Sequence, residues 1–272
     1  MPLLALLAWA SGSRAQESPA PSSPAQPAAS QQSLAIPCVQ PPPLVSLQDY
    51  DGPFKKTVGL FAQHLERKAV HPPHYKPGEL LCSLGLKDKF FLFARDSFDP
   101  VTFLNAGFNA GLDQAGNEDP TFGQGAAGYG KRFGADFADQ VSFQFFKDFA
   151  YPSIFSEDPR YYRLIEGGGG RRLLHALEHS VVAHHDSGNV MFNYSEWLGT
   201  ASAVTLSNLY HPGHRRGFAP AAELVGYNVL IDMGFDTLRE FWPEISRKLK
   251  LPFRAEPEPE PEPEGLDPSP AG

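Results

Sequence analysis

The residues best suited to chemistry form a short histidine motif in the second half of the chain. His175, Glu178 and His179 match the pattern H-x-x-E-H. In that pattern two histidines one helical turn apart bind zinc, and the glutamate acts as general base on a zinc-bound water. The candidates for a third ligand are Glu223, Glu240 and Glu244. Three fixed positions make a weak motif, so a zinc-dependent hydrolase with Glu178 as its catalytic residue is an alternative hypothesis rather than the main one.

A basic turn, HPGHRR, offers a second kind of chemistry. Its residues His214, Arg215 and Arg216 carry donors that suit phosphate or carboxylate groups, so they form a candidate anion-binding site. The alternative is a solvated loop between two helices. The glycine-rich run from Gly167 to Gly170 is not a phosphate loop, because it lacks the Lys-Ser/Thr that would follow.

Acidic residues also occur within apolar patterns, where water would not reach them. Asp136, Asp139 and Asp232 are the clearest cases. Buried ions persist only when they are paired, so these residues predict a polar network inside a bundle. The available partners are Arg95, Lys131, Arg132 and Arg163. A hydrolase site with paired carboxylates is the alternative, although nothing in the sequence sets their separation.

Helix signals dominate residues 50–253. Asp99-Pro100 and Asp158-Pro159 each place a capping residue before a proline, which predicts two helix starts. Asn193 and Glu196 have capping-box spacing ahead of an apolar stretch.

The sequence also predicts where the later helices begin and end. The apolar stretch after Glu196 stops at His211, and a further helix pattern begins at Arg171. A last helix is expected from about Pro220 to Phe241, with a break at Trp242-Pro243. We predict no strand pair, because no apolar and polar residues alternate between hairpin turns.

Small residues recur every fourth position in several segments, which predicts close helix packing of the glycine-zipper kind. One stripe contains Ala126, Gly130, Gly134 and Ala138, and a second contains Ser195, Gly199 and Ala203. A ridge of mostly aromatic side chains, spaced by four from Tyr129 to Phe149, lies beside the first stripe. No segment has the roughly 20 apolar residues that cross a bilayer.

The ends of the chain differ in composition from its middle. Residues 1–15 resemble a signal peptide, residues 16–49 form a linker rich in proline, alanine and serine, and residues 254–272 form an acidic Glu-Pro tail. These ends carry much of the net charge of -8 and many of the 27 prolines. The nearly neutral middle argues against a nucleic-acid partner.

Export would place the chain in an oxidising compartment, where Cys38 and Cys82 are candidates for a disulfide. Two buried free thiols are the alternative.

Four segments together resemble a family of uncharacterised exported bacterial proteins over roughly residues 85–250. They are FGQGAAGYGKRFGADFADQ, DPRYYRL, SNLYHP and REFWPEISRKL. The resemblance implies a secreted helical domain with low-complexity ends. It implies no activity and no catalytic residues, and the H-x-x-E-H motif is not part of it.

The sequence therefore predicts an all-α, single-domain bundle that is exported to the periplasm or envelope. Its predicted role is structural or interactive rather than catalytic, with no cofactor. The first alternative is the zinc-dependent hydrolase, and the second is a peripheral membrane or self-associating envelope protein.

Overall fold

Helices hold most of the residues that the structure describes, as the sequence predicts. The structure is a computed structural model, and it describes residues 38–39, 55–70, 80–164, 167–211 and 217–250. The helices are α1 (Lys55–Arg67), α2 (Leu86–Ser97), α3 (Pro100–Gly116), α4 (Gly125–Gln144), α5 (Tyr151–Phe155), α6 (Gly169–Glu178), α7 (Thr200–Tyr210) and α8 (Phe218–Leu249). A 3₁₀ turn spans Pro120–Phe122. The first π segment (Phe145–Ala150) joins α4 to α5, and the second π segment (Ser195–Gly199) leads into α7.

Short strands connect the helices, although no strand pair was predicted. They are β1 (Cys38–Val39), β2 (Ala69–Val70), β3 (Leu80–Leu81), β4 (Glu157–Asp158), β5 (Tyr161–Tyr162), β6 (Val182–His185) and β7 (Val190–Phe192). β1 pairs with β3 and β2 with β5, both in parallel, while β4, β6 and β7 form an antiparallel sheet. With two to four residues each, these strands are too short for an alternating pattern to reveal them.

A disulfide joins the two cysteines of the chain. Cys38 in β1 is bonded to Cys82, which follows β3 directly. The same two strands pair in parallel, with Cys38 opposite Leu80. The bond thus reinforces a contact that the backbone also makes.

Of the two predicted Asp-Pro helix starts, one is confirmed and one is wrong. The carboxylate of Asp99 accepts from the backbone N–H of Val101 at 2.8 Å and caps α3, with Pro100 in the first turn. Asp158 instead ends β4, and its carboxylate accepts from the backbone and guanidinium of Arg160. This local ion pair occupies the carboxylate that would otherwise have capped a helix.

The predicted break at Trp242-Pro243 does not occur. Helix α8 continues through Pro243 and ends at Leu249. Proline cannot donate to the carbonyl four residues earlier, which belongs to Arg239. That carbonyl accepts from Nε of Arg163 at 2.5 Å. A side chain from outside the helix therefore replaces the hydrogen bond that proline removes.

The interior is largely polar. One apolar cluster lies between α1 and α8, where Ala62, Leu65 and Trp242 are buried. Elsewhere the fully buried side chains include ionic ones, among them Glu66, Glu157 and Glu240. In α4 the face that carries Arg132 is buried, and Arg132 is only 2% exposed. The polar face of this helix is thus turned inward.

The glycine-zipper prediction is wrong for α4 and is replaced by a different contact. Ala126, Gly130 and Gly134 are exposed, and a Cβ at either glycine would have no neighbour within 4 Å. The aromatic ridge instead meets phenylalanines of α2 and α3, as where Phe103 stacks on Phe137 at 4.7 Å. Ala138 is half-buried. The stripe of Ser195, Gly199 and Ala203 is buried, in a segment that packs against α4 and α8.

A matched pair of glycine substitutions should separate the two stripes. Gly134→Ala should raise stability by about 0.5–1 kcal/mol, because alanine favours the helix and meets no neighbour. Gly199→Ala should lower stability by about 1–3 kcal/mol, because its Cβ would lie 2.7 Å from Cγ of Lys147. Denaturant unfolding of both variants measures these changes. Equal changes in stability at the two positions would contradict the conclusion that the stripe with Gly134 is exposed and the stripe with Gly199 is packed.

None of the helices in the described ranges has both the length and the apolar character needed to cross a membrane.

Candidate functional site

The two π segments bring three charged side chains to the centre of the domain. Lys147 and Asp148 interrupt a run of phenylalanines in the first π segment, and Pro152 follows one turn later. Proline donates no backbone hydrogen bond, so the α-helical pattern cannot continue unchanged through this turn. Glu196 lies in the second π segment, which contacts the first. Such widened turns are frequent at functional sites.

Lys147 is held by two carboxylates. Its Nζ donates to Oε2 of Glu196 at 2.6 Å and to Oδ2 of Asp232 in α8. Burial opposes the charge on Lys147, but Asp232 and Glu196 outweigh burial and raise its pKa. The amine therefore remains protonated. Gly199 leaves the space that the lysine stem occupies.

Lys68, which follows α1, makes a second group of ion pairs. Its Nζ lies 2.6 Å from Oδ2 of Asp148 and 2.9 Å from Oδ2 of Asp96. Asp96 also accepts from Arg67 at 2.5 Å. Burial would raise the pKa of Asp96, but neighbouring bases, Lys68 first among them, lower it. Burial raises the pKa of Asp148 despite the nearby Lys68.

A third group links α6 to α8. Oδ2 of Asp236 lies 2.7 Å from Nδ1 of His179, and its Oδ1 accepts from Arg239 at 2.6 Å. Burial would raise the pKa of Asp236, but His179 and Arg239 lower it to about 2. Burial would lower the pKa of His179, and the Asp236 carboxylate raises it instead. The carboxylate is thus fixed in its ionised form.

Glu196 can exchange a proton near neutral pH. Burial raises its pKa to about 7, although the charge of Lys147 opposes the change. Its backbone N–H donates to Oδ1 of Asn193 at 2.8 Å, so the predicted capping contact forms. The side chain, however, binds Lys147 rather than closing the capping box.

A cavity of about 470 Å³ opens beside these ion pairs, between α1, α3, α4 and α8. Its charged lining residues are Lys68, Lys147, Asp148, Asp232 and Arg239. The same five residues also line a smaller cavity of about 70 Å³, which extends towards His179 and Glu196. The ion pairs therefore separate two adjoining spaces. Side chains around them can bind a polar group, fix its orientation and hold a proton at Glu196.

The structure does not assemble the predicted zinc site. Nε2 of His175 lies 2.7 Å from the carbonyl oxygen of Tyr162, and His179 binds Asp236. Glu178 is exposed to solvent. Of the third-ligand candidates, Glu240 and Glu244 both accept from Arg172. In the described ranges, no three His, Cys, Asp or Glu side chains are grouped as a metal ion would require.

The predicted polar network forms only in part, because Asp139 pairs with His211 rather than with a predicted basic partner, and Oδ2 of Asp136 is buried without a hydrogen-bond partner in the described part of the chain. The imidazole lies 2.7 Å from Oδ2 of Asp119 and 3.0 Å from Oδ2 of Asp139. Burial lowers the pKa of His211, but Asp139 and Asp119 outweigh burial and raise it to about 9. Burial, followed by repulsion from Asp113 and Asp139, raises the pKa of Asp136 to about 7.

The four basic residues that were predicted as partners of these carboxylates differ in their contacts and exposure. Arg163 pairs with Glu66, while Arg132 donates to Gln114 and to backbone carbonyls. Arg95 and Lys131 are exposed. The candidate anion site at His214, Arg215 and Arg216 lies outside the described residues.

Several residues of the central site were not predicted from the sequence, namely Lys68, Asp96, Lys147, Asp148, Asp236 and Arg239. Two signals were available. Lys147 and Asp148 stand inside the aromatic run FFKDF, and Asp232, Asp236 and Arg239 recur at helical spacing in an otherwise mostly apolar segment. Both patterns indicate charged side chains that point away from water.

Comparison of the chain with protein-family models, with curated proteins and with solved structures finds no match.

Proposed function

We propose that this chain is an exported, membrane-associated protein that acts through contact with lipid rather than through catalysis. The observation that carries the proposal is an inverted distribution of side chains, with ions inside and large apolar residues outside. An exposed apolar surface of this extent is typical of a membrane or protein interaction surface.

The apolar exposure is organised along helices. In α3, Leu104, Phe108 and Leu112 recur every four residues and are 62%, 65% and 55% exposed. In α8, Tyr227 and Leu230 are 61% and 65% exposed. Contact of this surface with water costs about 25 cal/mol for each Å² of apolar area. An apolar surrounding would remove that cost.

Charged residues are absent from the middle of the same faces. α3 has no charged residue before Asp113, and the charged residues of α8 between positions 224 and 246 are all buried or half-buried. The exposed charges of α8 lie near its ends, at Glu223, Arg247 and Lys248. Charged ends around an apolar middle suit a helix in contact with acyl chains and headgroups.

The distribution favours lipid over a second copy of the chain. A standard protein interface covers about 800 Å² of each partner in one patch. Here large exposed apolar residues lie on α2, α3, α6, α7 and α8, and on β6 and β7 as well. One twofold contact covers a single patch, whereas a lipid environment can contact several elements at once.

Flotation with lipid vesicles tests the proposal. The purified chain is mixed with vesicles of phosphatidylethanolamine and phosphatidylglycerol and centrifuged through a density gradient at about 0.1 M and about 1 M NaCl. We expect it to float with the vesicles at both salt concentrations, because apolar contact is not screened by salt. Recovery at the bottom of the gradient would overturn the proposal, whether the protein is a monomer or a discrete oligomer.

Paired variants make the test specific. Replacing Leu112 and Leu230 together by Glu puts charges on the proposed lipid-facing surface and should reduce flotation strongly. Both side chains are exposed, so the fold should be retained. Lys131→Glu changes an exposed charge on α4 and should leave flotation unchanged.

A further inference from the structure

The larger cavity has an apolar mouth and a charged floor. Four of its exposed lining residues are apolar, namely Leu104 and Phe108 of α3 and Ile231 and Phe235 of α8, and Asn105 of α3 is exposed as well. These four apolar side chains lie at the opening, beside the exposed Asn105. They belong to the same apolar surface that we propose to contact lipid. The cavity therefore opens towards lipid rather than towards water.

The lining becomes more polar with depth. Three half-buried amide side chains, Gln140, Gln144 and Asn228, contribute to the wall. Most of the charged lining is more buried, with 16% exposure for the side chain of Lys68 and 6% for that of Asp148, whereas the side chain of Asp232 is 37% exposed. A ligand that fills this space needs an apolar part at the mouth and a polar part at the floor.

The floor carries charges of both signs, with two lysines paired to four carboxylates. Lys147 is compensated by Asp232 and Glu196, and Lys68 by Asp148 and Asp96. A purely anionic headgroup would meet these carboxylates, and a purely cationic one would meet the lysines. A group that carries both signs suits the floor best, because each of its charges can approach the opposite one.

Three buried polar atoms of the lining have no hydrogen-bond partner in the described part of the chain. They are Nδ1 of His64, Oε1 of Gln144 and Nε of Arg239. Buried polar atoms are nearly always paired, so an acceptor and a cationic donor remain for a ligand. A phosphate oxygen can accept from Arg239, and an ammonium group can donate to Gln144.

From this combination we infer that the cavity is a binding site for a zwitterionic phospholipid of the phosphatidylethanolamine class. The phosphate and ammonium occupy the charged floor, and the acyl chains leave through the mouth between α3 and α8. The inference rests on the proposed function, because lipid contact is what brings such a molecule to the mouth.

Titration calorimetry with short-chain lipids tests the site without a membrane. The probe is dihexanoyl phosphatidylethanolamine below its micelle concentration, and dihexanoyl phosphatidylglycerol is the headgroup control. We expect saturable binding of one molecule per chain, at least about tenfold tighter for the ethanolamine lipid. Equal affinity for the two lipids, or no saturable binding of the ethanolamine lipid, would overturn the inference.

Two variants distinguish this inference from the proposed function. Gln144→Met removes the unpaired acceptor with little change of shape. It should weaken binding of the ethanolamine lipid by about tenfold while flotation is retained. The variant with Glu at positions 112 and 230 should bind the short-chain lipid normally but float poorly, since neither residue lines the cavity. Flotation of the parent without lipid binding would overturn the site alone, and binding without flotation would overturn the membrane role alone.

Discussion

Arg163→Met is expected to lower the free energy of unfolding by about 3–5 kcal/mol, because it removes a buried cation that pairs with the buried carboxylate of Glu66. The guanidinium of Arg163 donates from two nitrogens to both oxygens of Glu66, and both side chains are essentially buried. Its Nε also supplies the hydrogen bond to the Arg239 carbonyl that Pro243 leaves open. One substitution therefore removes three contacts that join α1, α8 and the residue after β5.

Two further variants show whether the loss arises from the broken ion pair. Arg163→Lys keeps the charge but cannot form the two-pronged contact, so it should lose less than Arg163→Met. Combining Glu66→Leu with Arg163→Met removes both charges and should recover a large part of the stability. Unfolding by denaturant measures all four proteins under one set of conditions. Stability of Arg163→Met within about 1 kcal/mol of the parent would contradict a buried pair.

The fold class could be predicted from the sequence because helix signals are local. Asp99 caps α3, and His211 ends α7, through contacts with nearby residues. The failures involve distant partners. The carbonyl that stabilises α8 beyond Trp242 is satisfied by Arg163, 76 residues away in sequence. No local pattern around Pro243 contains that information.

The central site was missed for a related reason. The stripe of small residues in α4 was predicted to be the packing face of this helix, in preference to its polar face. In α4 that face carries Arg132, which is buried, while Gly130 and Gly134 are exposed. The periodicity of an amphipathic helix defines a polar face and an apolar face, but it does not determine which of the two is buried. The medium around the protein determines which face is buried, and the proposed contact with lipid accounts for the burial of the polar face in α4.

The stability of this domain should fall as the pH rises through about 9, because His211 then loses its proton. Contacts with Asp119 and Asp139 raise the pKa of His211 from 6.5 to about 9 in the folded state. A group whose pKa is raised by folding contributes fully below its unfolded pKa and nothing well above its folded one. The contribution should thus be complete below about pH 6.5 and absent above about pH 10. We expect about 2 kcal/mol, after allowance for the partly exposed Asp139.

Thermal melting of the parent and His211→Gln across this range isolates the effect. The difference in stability between the two should shrink as pH rises through 9, because glutamine does not titrate. Asp139→Asn removes one of the two carboxylates and should give an intermediate profile. His185→Gln changes a histidine whose Nδ1 contacts the hydroxyl of Ser187, and it should follow the parent. Parallel curves for the parent and His211→Gln would show that the charge on His211 does not stabilise the fold.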